Sequence, residues 1–204
     1  NYDERYKIFG FSNQTFDEVG WYYPSAGSNE IDRYVTYNYV QRTWSIGKME
    51  RTAWIDYGIY QKPRAAGGTS PGYIYAHEVG YDDDGSPMDG VSIQSGDIDL
   101  GDGEQFAFVS RVIPDFKFIG TDLAGLQTVD LLVQMRDAPG GTLVTDATVP
   151  VNSTTQVENI RGRGRQFSLN VTSFNDGSNN NANRLGVGWR LGSTRLDVKP
   201  DGRQ

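Results

Sequence analysis

The sequence predicts an all-β chain in which partial β-propeller blades are followed by an antiparallel β-sandwich-like domain. Three observations carry that expectation. Alternation of period two recurs along the whole chain, whereas helical periodicity is nearly absent. The strongest helical stretch, Asp122–Leu126, is too short and too glycine-rich to nucleate a helix. The composition of 25 Gly, 12 Tyr, 9 Phe and 4 Trp suits short strands joined by tight turns. Finally, strand length changes across the acidic, turn-rich segment YDDDGSPMDG (81–90), which reads as a boundary between 1–89 and 90–204.

In the first part, YKIFGF (6–11) and EVGWYYP (18–24) pair across Ser12-Asn13-Gln14. RYVTYNYV (33–40) and TWSIG (43–47) follow, turning at Gln41-Arg42. Alternation puts Tyr34, Thr36 and Asn38 on one face and Val35, Tyr37 and Tyr39 on the other. RTAWIDYG (51–58) is a further strand, KPRAAGGTSPG (62–72) a loop, and YIYAHE (73–78) a short strand. A propeller blade is a four-stranded antiparallel sheet of about 40–50 residues. Residues 6–47 fit one blade and 49–78 part of another. Blades bury both faces only against neighbours. With no starting Met, the chain reads as processed or as a piece of a longer one whose ring-mates lie upstream.

In the second part the strands lengthen: 91–100, 104–120, 128–137, 154–173 and 186–200. FNDGSNNNANR (174–184) is an Asn/Gly/Ser loop expected to be mobile. Long antiparallel strands of this kind pack most often as two facing sheets.

No stretch is apolar long enough to span a bilayer as a helix. The absence of cysteine removes disulfide and thiol chemistry. A net charge of −7 argues against a general affinity for nucleic-acid phosphates and favours solubility.

Few residue patterns point to chemistry. His77, the single histidine, has no G-x-S-x-G nucleophile elbow to serve and too few companions for zinc, so it reads as a packing or hydrogen-bonding residue. Asp82-Asp83-Asp84-Gly85 and Asp97-x-Asp99-x-Gly101-Asp102-Gly103-Glu104 offer oxygens to Ca²⁺ but depart from the EF-hand register; turn formation explains them better. Paired carboxylates of a glycosidase cannot be picked out among 26 acidic residues. No catalytic residue, cofactor or metal is therefore assigned. Trp21, Trp44, Trp54 and Trp189 all lie in alternating patterns where core burial is the common fate. Trp21 and Trp54 are the candidates for stacking a sugar if exposed. In RGRGR, alternation places Arg161, Arg163 and Arg165 on one face with glycines opposite, so something packs closely on the glycine side. Three guanidinium groups in a row could clamp phosphates or carboxylates, and pairing with acids of a neighbouring strand or subunit is the preferred reading.

WYYPSAGSNEIDRYVTYNYVQRTWSIG, RTAWID, GYIYAHEVG, SGDIDLGDGEQF and RVIPD occur in that order, and RGRGRQFSLNVTS and LGVGWRLGSTRLDVKPDGRQ close the chain. Together they resemble the C-terminal part of the tail nozzle or hub proteins, also called packaged-DNA stabilisation proteins, of short-tailed bacteriophages. The resemblance implies a virion tail protein with no catalytic residues, assembled as a homo-oligomeric ring, a hexamer in most of the family. Such a ring surrounds the DNA exit channel, contacts neighbouring tail and adaptor proteins, and passes DNA without binding it specifically. The other expectation, from the aromatic strands, is a carbohydrate- or receptor-binding β-module of a phage tail or fibre.

Overall fold

The computed structural model describes residues 1–68, 72–86, 88, 90–99, 105–120, 128–173 and 187–202. The chain is all-β and antiparallel, and it divides into two compact units, Asn1–Val79 and Gly80–Gln204. Among the described residues the helical content is one 3-10 turn, Arg5–Lys7. The acidic segment 81–90 opens the second unit. Asp122–Leu126 and the loop 174–184 lie outside the described residues.

The first unit begins with an up-and-down sheet of β1 (Phe9–Asn13), β2 (Glu18–Tyr23), β3 (Arg33–Asn38) and β4 (Thr43–Lys48), in that spatial order. This is the strand order of a propeller blade. The turn after β1 comes later than the sequence suggested, at Gln14–Asp17, where Asp17 takes a positive φ of 58°. A second sheet contains β5 (Ala53–Ile55), β6 (Arg64–Gly67) and β7 (Tyr73–Ala76).

Strand β6 corrects the reading of 62–72 as a loop, and β5 is shorter than 51–58. The central strand is built from small residues because another backbone runs against it. A Cβ on Gly67 would collide with the Glu50 carbonyl. Ala65 is buried between Trp54 and Tyr75, its partners in the register. Without β-branched or aromatic residues, such a strand leaves no alternation to see.

The second unit has β8 (Val91–Gln94), β9 (Ile98–Asp99), β10 (Ala107–Ile113), β11 (Phe116–Gly120), β12 (Val129–Arg136) and β13 (Val144–Val151). β14 (Glu158–Gly164), β15 (Gln166–Ser173), β16 (Val187–Leu191) and β17 (Arg195–Pro200) complete it. Four of the expected long strands are each two, 91–100 dividing into β8 and β9. The segment 104–120 breaks at Pro114-Asp115, and 186–200 breaks opposite, where the Gly192 and Ser193 amides donate to Asp115. The segment 154–173 breaks at Arg165, where the chain crosses from one sheet to another.

One sheet runs β14-β10-β17 and the other β13-β12-β15-β8. Their facing sides share one apolar cluster. Ala107, Val109, Val112 and Ile160 come from the first sheet; Val129, Leu131, Val133, Met135, Val149, Val151 and Val171 come from the second. β12 alternates buried and half-buried along its whole length, so four of its side chains enter this core. Each such burial contributes about 1.5–3 kcal/mol. The pair β11-β16 prolongs the β10/β17 ladder, and Phe116, Phe118 and Trp189 rest against the same cluster.

Candidate functional site

The β1–β4 sheet has two unlike faces. On one, Phe9, Phe11 and Tyr34 pack on Tyr22, and Phe11 and Tyr22 meet the ring of Trp54, with Phe11–Trp54 centroids 4.8 Å apart. Tyr22 is fully buried there, and burial pushes its phenol well above the usual tyrosine range. Gly20 leaves room for the Phe11 ring.

The opposite face is apolar and open. Its register gives two cross-strand rows, Gly10–Trp21–Val35–Ile46 and Ser12–Val19–Tyr37–Trp44. Trp21 is 41% exposed, Trp44 62% and Ile46 78%. The two indoles stack at 6.5 Å, and Tyr37 packs on Trp44 at 4.7 Å. Core burial, expected for the tryptophans, therefore fails for Trp21 and Trp44. The alternation was read correctly; what it could not tell was whether the second face has a cover.

Trp54 is half-buried between Phe11 and His77, and its indole N–H donates to the Ser12 carbonyl at 2.7 Å. It is not a free stacking platform. Its edge nevertheless lines, together with Trp21, a shallow cleft of about 440 Å³ beside Ser12, Val19 and Asp56. The Asp56 carboxylate accepts from Ser12 Oγ at 2.6 Å and from the amides of Gln14 and Tyr57. The structure thus brings both sequence-nominated tryptophans to one cleft and adds Asp56, with Trp44 stacked on Trp21 beyond it; sequence reasoning nominated neither. The 44-residue separation of Ser12 and Asp56 is bridged by the sheet packing and has no local signal.

His77 accepts a hydrogen bond at Nε2 from Arg51 Nε at 3.0 Å and packs on Trp54 at 4.7 Å. Burial, with the nearby Arg51 cation, pushes the imidazole down to about 4, so it is neutral at neutral pH. Arg51 lies over the Tyr75 ring and donates to the Glu50 carbonyl. These are packing and hydrogen-bonding roles.

The first acidic run makes a turn; in the second, Asp99 lies in strand β9. Asp82 accepts from the Gly85 amide at 2.8 Å, Asp83 and Ser86 exchange backbone hydrogen bonds, and Gly85 has φ 79°. Asp97 pairs with Arg136 and Asp99 accepts from Gln166. Asp102 and Glu104 lie outside the described residues. Among the described residues no group of three metal-ligating side chains converges, and no helix is long and apolar enough to cross a membrane.

Of the three arginines, Arg161 and Arg163 project from β14, while Arg165 follows the strand's end. Gly162 and Gly164 face the core: a Cβ on Gly162 would lie 2.8 Å from Met135 Cε, and one on Gly164 2.9 Å from the Arg136 carbonyl. The close packing inferred opposite the arginines is that of β12. Arg163 pairs with Asp201 of the same chain, and both Arg163 and Arg165 lie over the Phe106 ring, at 3.9 and 4.9 Å. Arg163 is thus already engaged within the chain; Arg161 is exposed and has no carboxylate partner among the described residues. No protein-family model matches the sequence, and comparison with curated proteins returned no match.

Proposed function

We propose that the chain is a structural component of a phage virion, the C-terminal part of a tail nozzle or hub subunit. In this reading it contributes to a ring around the DNA exit channel and docks neighbouring tail proteins; its work is assembly. The observation that supports it is the open face of the β1–β4 sheet. Six apolar residues form two adjacent rows, with Trp21, Trp44 and Ile46 exposed and Val19, Val35 and Tyr37 half-buried, on a sheet whose other face is packed and whose strand order is that of a blade. Patches of this kind mark surfaces that become dry on association. Sedimentation of the 204-residue chain tests this. Association at micromolar concentration that resists salt and is lost in Trp44→Asp/Ile46→Asp is the expected result. A strictly monomeric parent chain counts against the proposal.

A second reading, a carbohydrate- or receptor-binding module, draws on the cleft where Trp21 and the edge of Trp54 meet Asp56. An aromatic face beside a hydrogen-bonding carboxylate suits a sugar ring and its hydroxyls. Saturable binding on a glycan array, abolished by Trp21→Ala with the fold intact, would favour this reading over the first.

A further inference from the structure

The net charge of −7 conceals a segregation that only the strand register reveals. Consider the side of the second unit's β14-β10-β17 sheet, and of its β11-β16 extension, that is turned away from the core. Arg161 and Arg163 stand there because Ile160, Gly162 and Gly164 face inward, and Arg165 joins them over Phe106. Arg195 and Lys199 stand there because Leu196 rests on the core and Val198 is paired with buried Val109. In the extension, Phe116, Phe118 and Trp189 take the inner side, leaving Lys117 and Arg190 directly opposite each other on the outer one. With Arg111, the outer side carries eight cations.

Asp197 and Asp201 share this side, each already paired, with Arg111 and Arg163 respectively; the exposed Asp115, whose carboxylate lies against outward-facing Gly192, accepts the Ser193 amide there. The remaining six cations have no carboxylate partner among the described residues. Like charges placed opposite each other, as Lys117 and Arg190 are, cost stability in an isolated sheet. At ~3.3 Å per residue the path from Phe108 to Lys117 is at most roughly 30 Å. A duplex strand presents roughly nine phosphates over that length.

We propose that this ribbon is a sequence-independent contact for the phosphodiester backbone of DNA. Phosphates fit better than a protein surface for two reasons. The free cations outnumber the one carboxylate without a cation partner, Asp115, by six to one, and an acidic protein partner would have to desolvate six of them. The side also offers little of the apolar, charge-depleted centre that protein interfaces use, since Phe108 and Ile113 are already half-buried and Phe106 is covered by arginines. The acidic balance of the chain does not oppose this. At physiological salt, charges beyond about 8 Å are largely screened, so a phosphate on the ribbon senses the ribbon. Phe106 also holds two guanidinium planes in place, which lowers the ordering cost of using them.

The inference does not depend on the tail reading. Its test is fluorescence anisotropy of the full chain with duplex DNA of arbitrary sequence, over about 50–200 mM salt. The expected result is binding with a log K against log salt slope of roughly −5, from six free cations at about −0.9 each. Arg161→Ala and Arg190→Ala, at exposed positions outside every ion pair described above, should each flatten the slope by about one. Arg33→Ala in the first unit should leave it unchanged. No binding at the lowest salt, or binding indifferent to Arg161 and Arg190, overturns the proposal. So does the finding that charge reversal at those two positions abolishes association between copies or capture of poly-glutamate while DNA is not bound. A chain that binds DNA through the ribbon yet stays monomeric would keep this inference and remove the ring.

Discussion

Two glycines of one strand should respond to the same substitution in different ways. Gly162 and Gly164 both face β12, and both would place a new methyl group under 3.0 Å from a neighbour. At Gly162 that neighbour is the terminal methyl of Met135, which can rotate aside, with Asp146 Oδ2 next at 3.3 Å. At Gly164 the neighbours are the Arg136 carbonyl oxygen at 2.9 Å and Met135 Cβ at 3.0 Å. The carbonyl cannot retreat freely, because it accepts the Arg165 amide at 2.8 Å. Overpacking against such a fixed group costs about 1–3 kcal/mol. Loss of glycine's unfolded-state freedom offsets about 0.4–1 kcal/mol at either site. Gly164→Ala should therefore destabilise by about 1–2 kcal/mol net, and Gly162→Ala should stay within about 0.5 kcal/mol of zero. In scanning calorimetry the transition of the second unit should drop by about 4–8 °C in the first variant and by less than about 2 °C in the second. Equal effects, or a larger one at Gly162, would refute the claim that a rigid backbone rather than a flexible side chain sets the cost.

Other perturbations have equally definite outcomes. His77 has a folded pKa of about 4 against 6.5 when unconstrained, so the unfolded chain takes the proton first as pH falls. Stability of the first unit should be flat above about pH 7 and decline from about 6.5 to 4, by roughly 1–2 kcal/mol once solvent screening of the half-buried ring is counted. Urea midpoints across that range should lose this component in His77→Gln. Trp54→Phe removes the hydrogen bond to the Ser12 carbonyl and part of the ring packed on His77, and should cost about 1.5–3 kcal/mol by urea denaturation. Arg163→Ala should destabilise more than Asp201→Ala, because it uncovers Phe106 as well as breaking an exposed ion pair. A double-mutant cycle should attribute less than about 1 kcal/mol to the pair itself.

What the sequence disclosed follows from what alternation encodes. The β1–β4 sheet was legible because Val35 and Tyr37 alternate with Tyr34 and Thr36, and because the turn at Arg42, with φ 58°, falls where polar residues interrupt the pattern. The packing behind RGRGR was legible because glycine in a strand signals close approach. Strand β6 was hidden because its small residues answer to the Glu50 backbone, a tertiary demand with no periodic trace. β13 was passed over because Thr145, Asp146 and Thr148 give it a polar, exposed start. The open face with Trp44 and the cleft of Asp56 were out of reach, since period two separates a strand's faces without saying which acquires a cover. The basic ribbon was equally invisible: its cations come from β10, β11, β14, β16 and β17, and only the register assembles them.

Strand β10 lies between β14 and β17, and its bond with β17 joins Ala107 to Pro200. During synthesis the middle of that sheet must therefore wait, one edge unsatisfied, until Arg195–Pro200 have left the ribosome. Such long-range closure makes assembly of the second unit slow. It also makes the six residues of β17 a checkpoint: a chain cut before Arg195 leaves the β10 backbone bare along one side, a template for pairing with the wrong molecule.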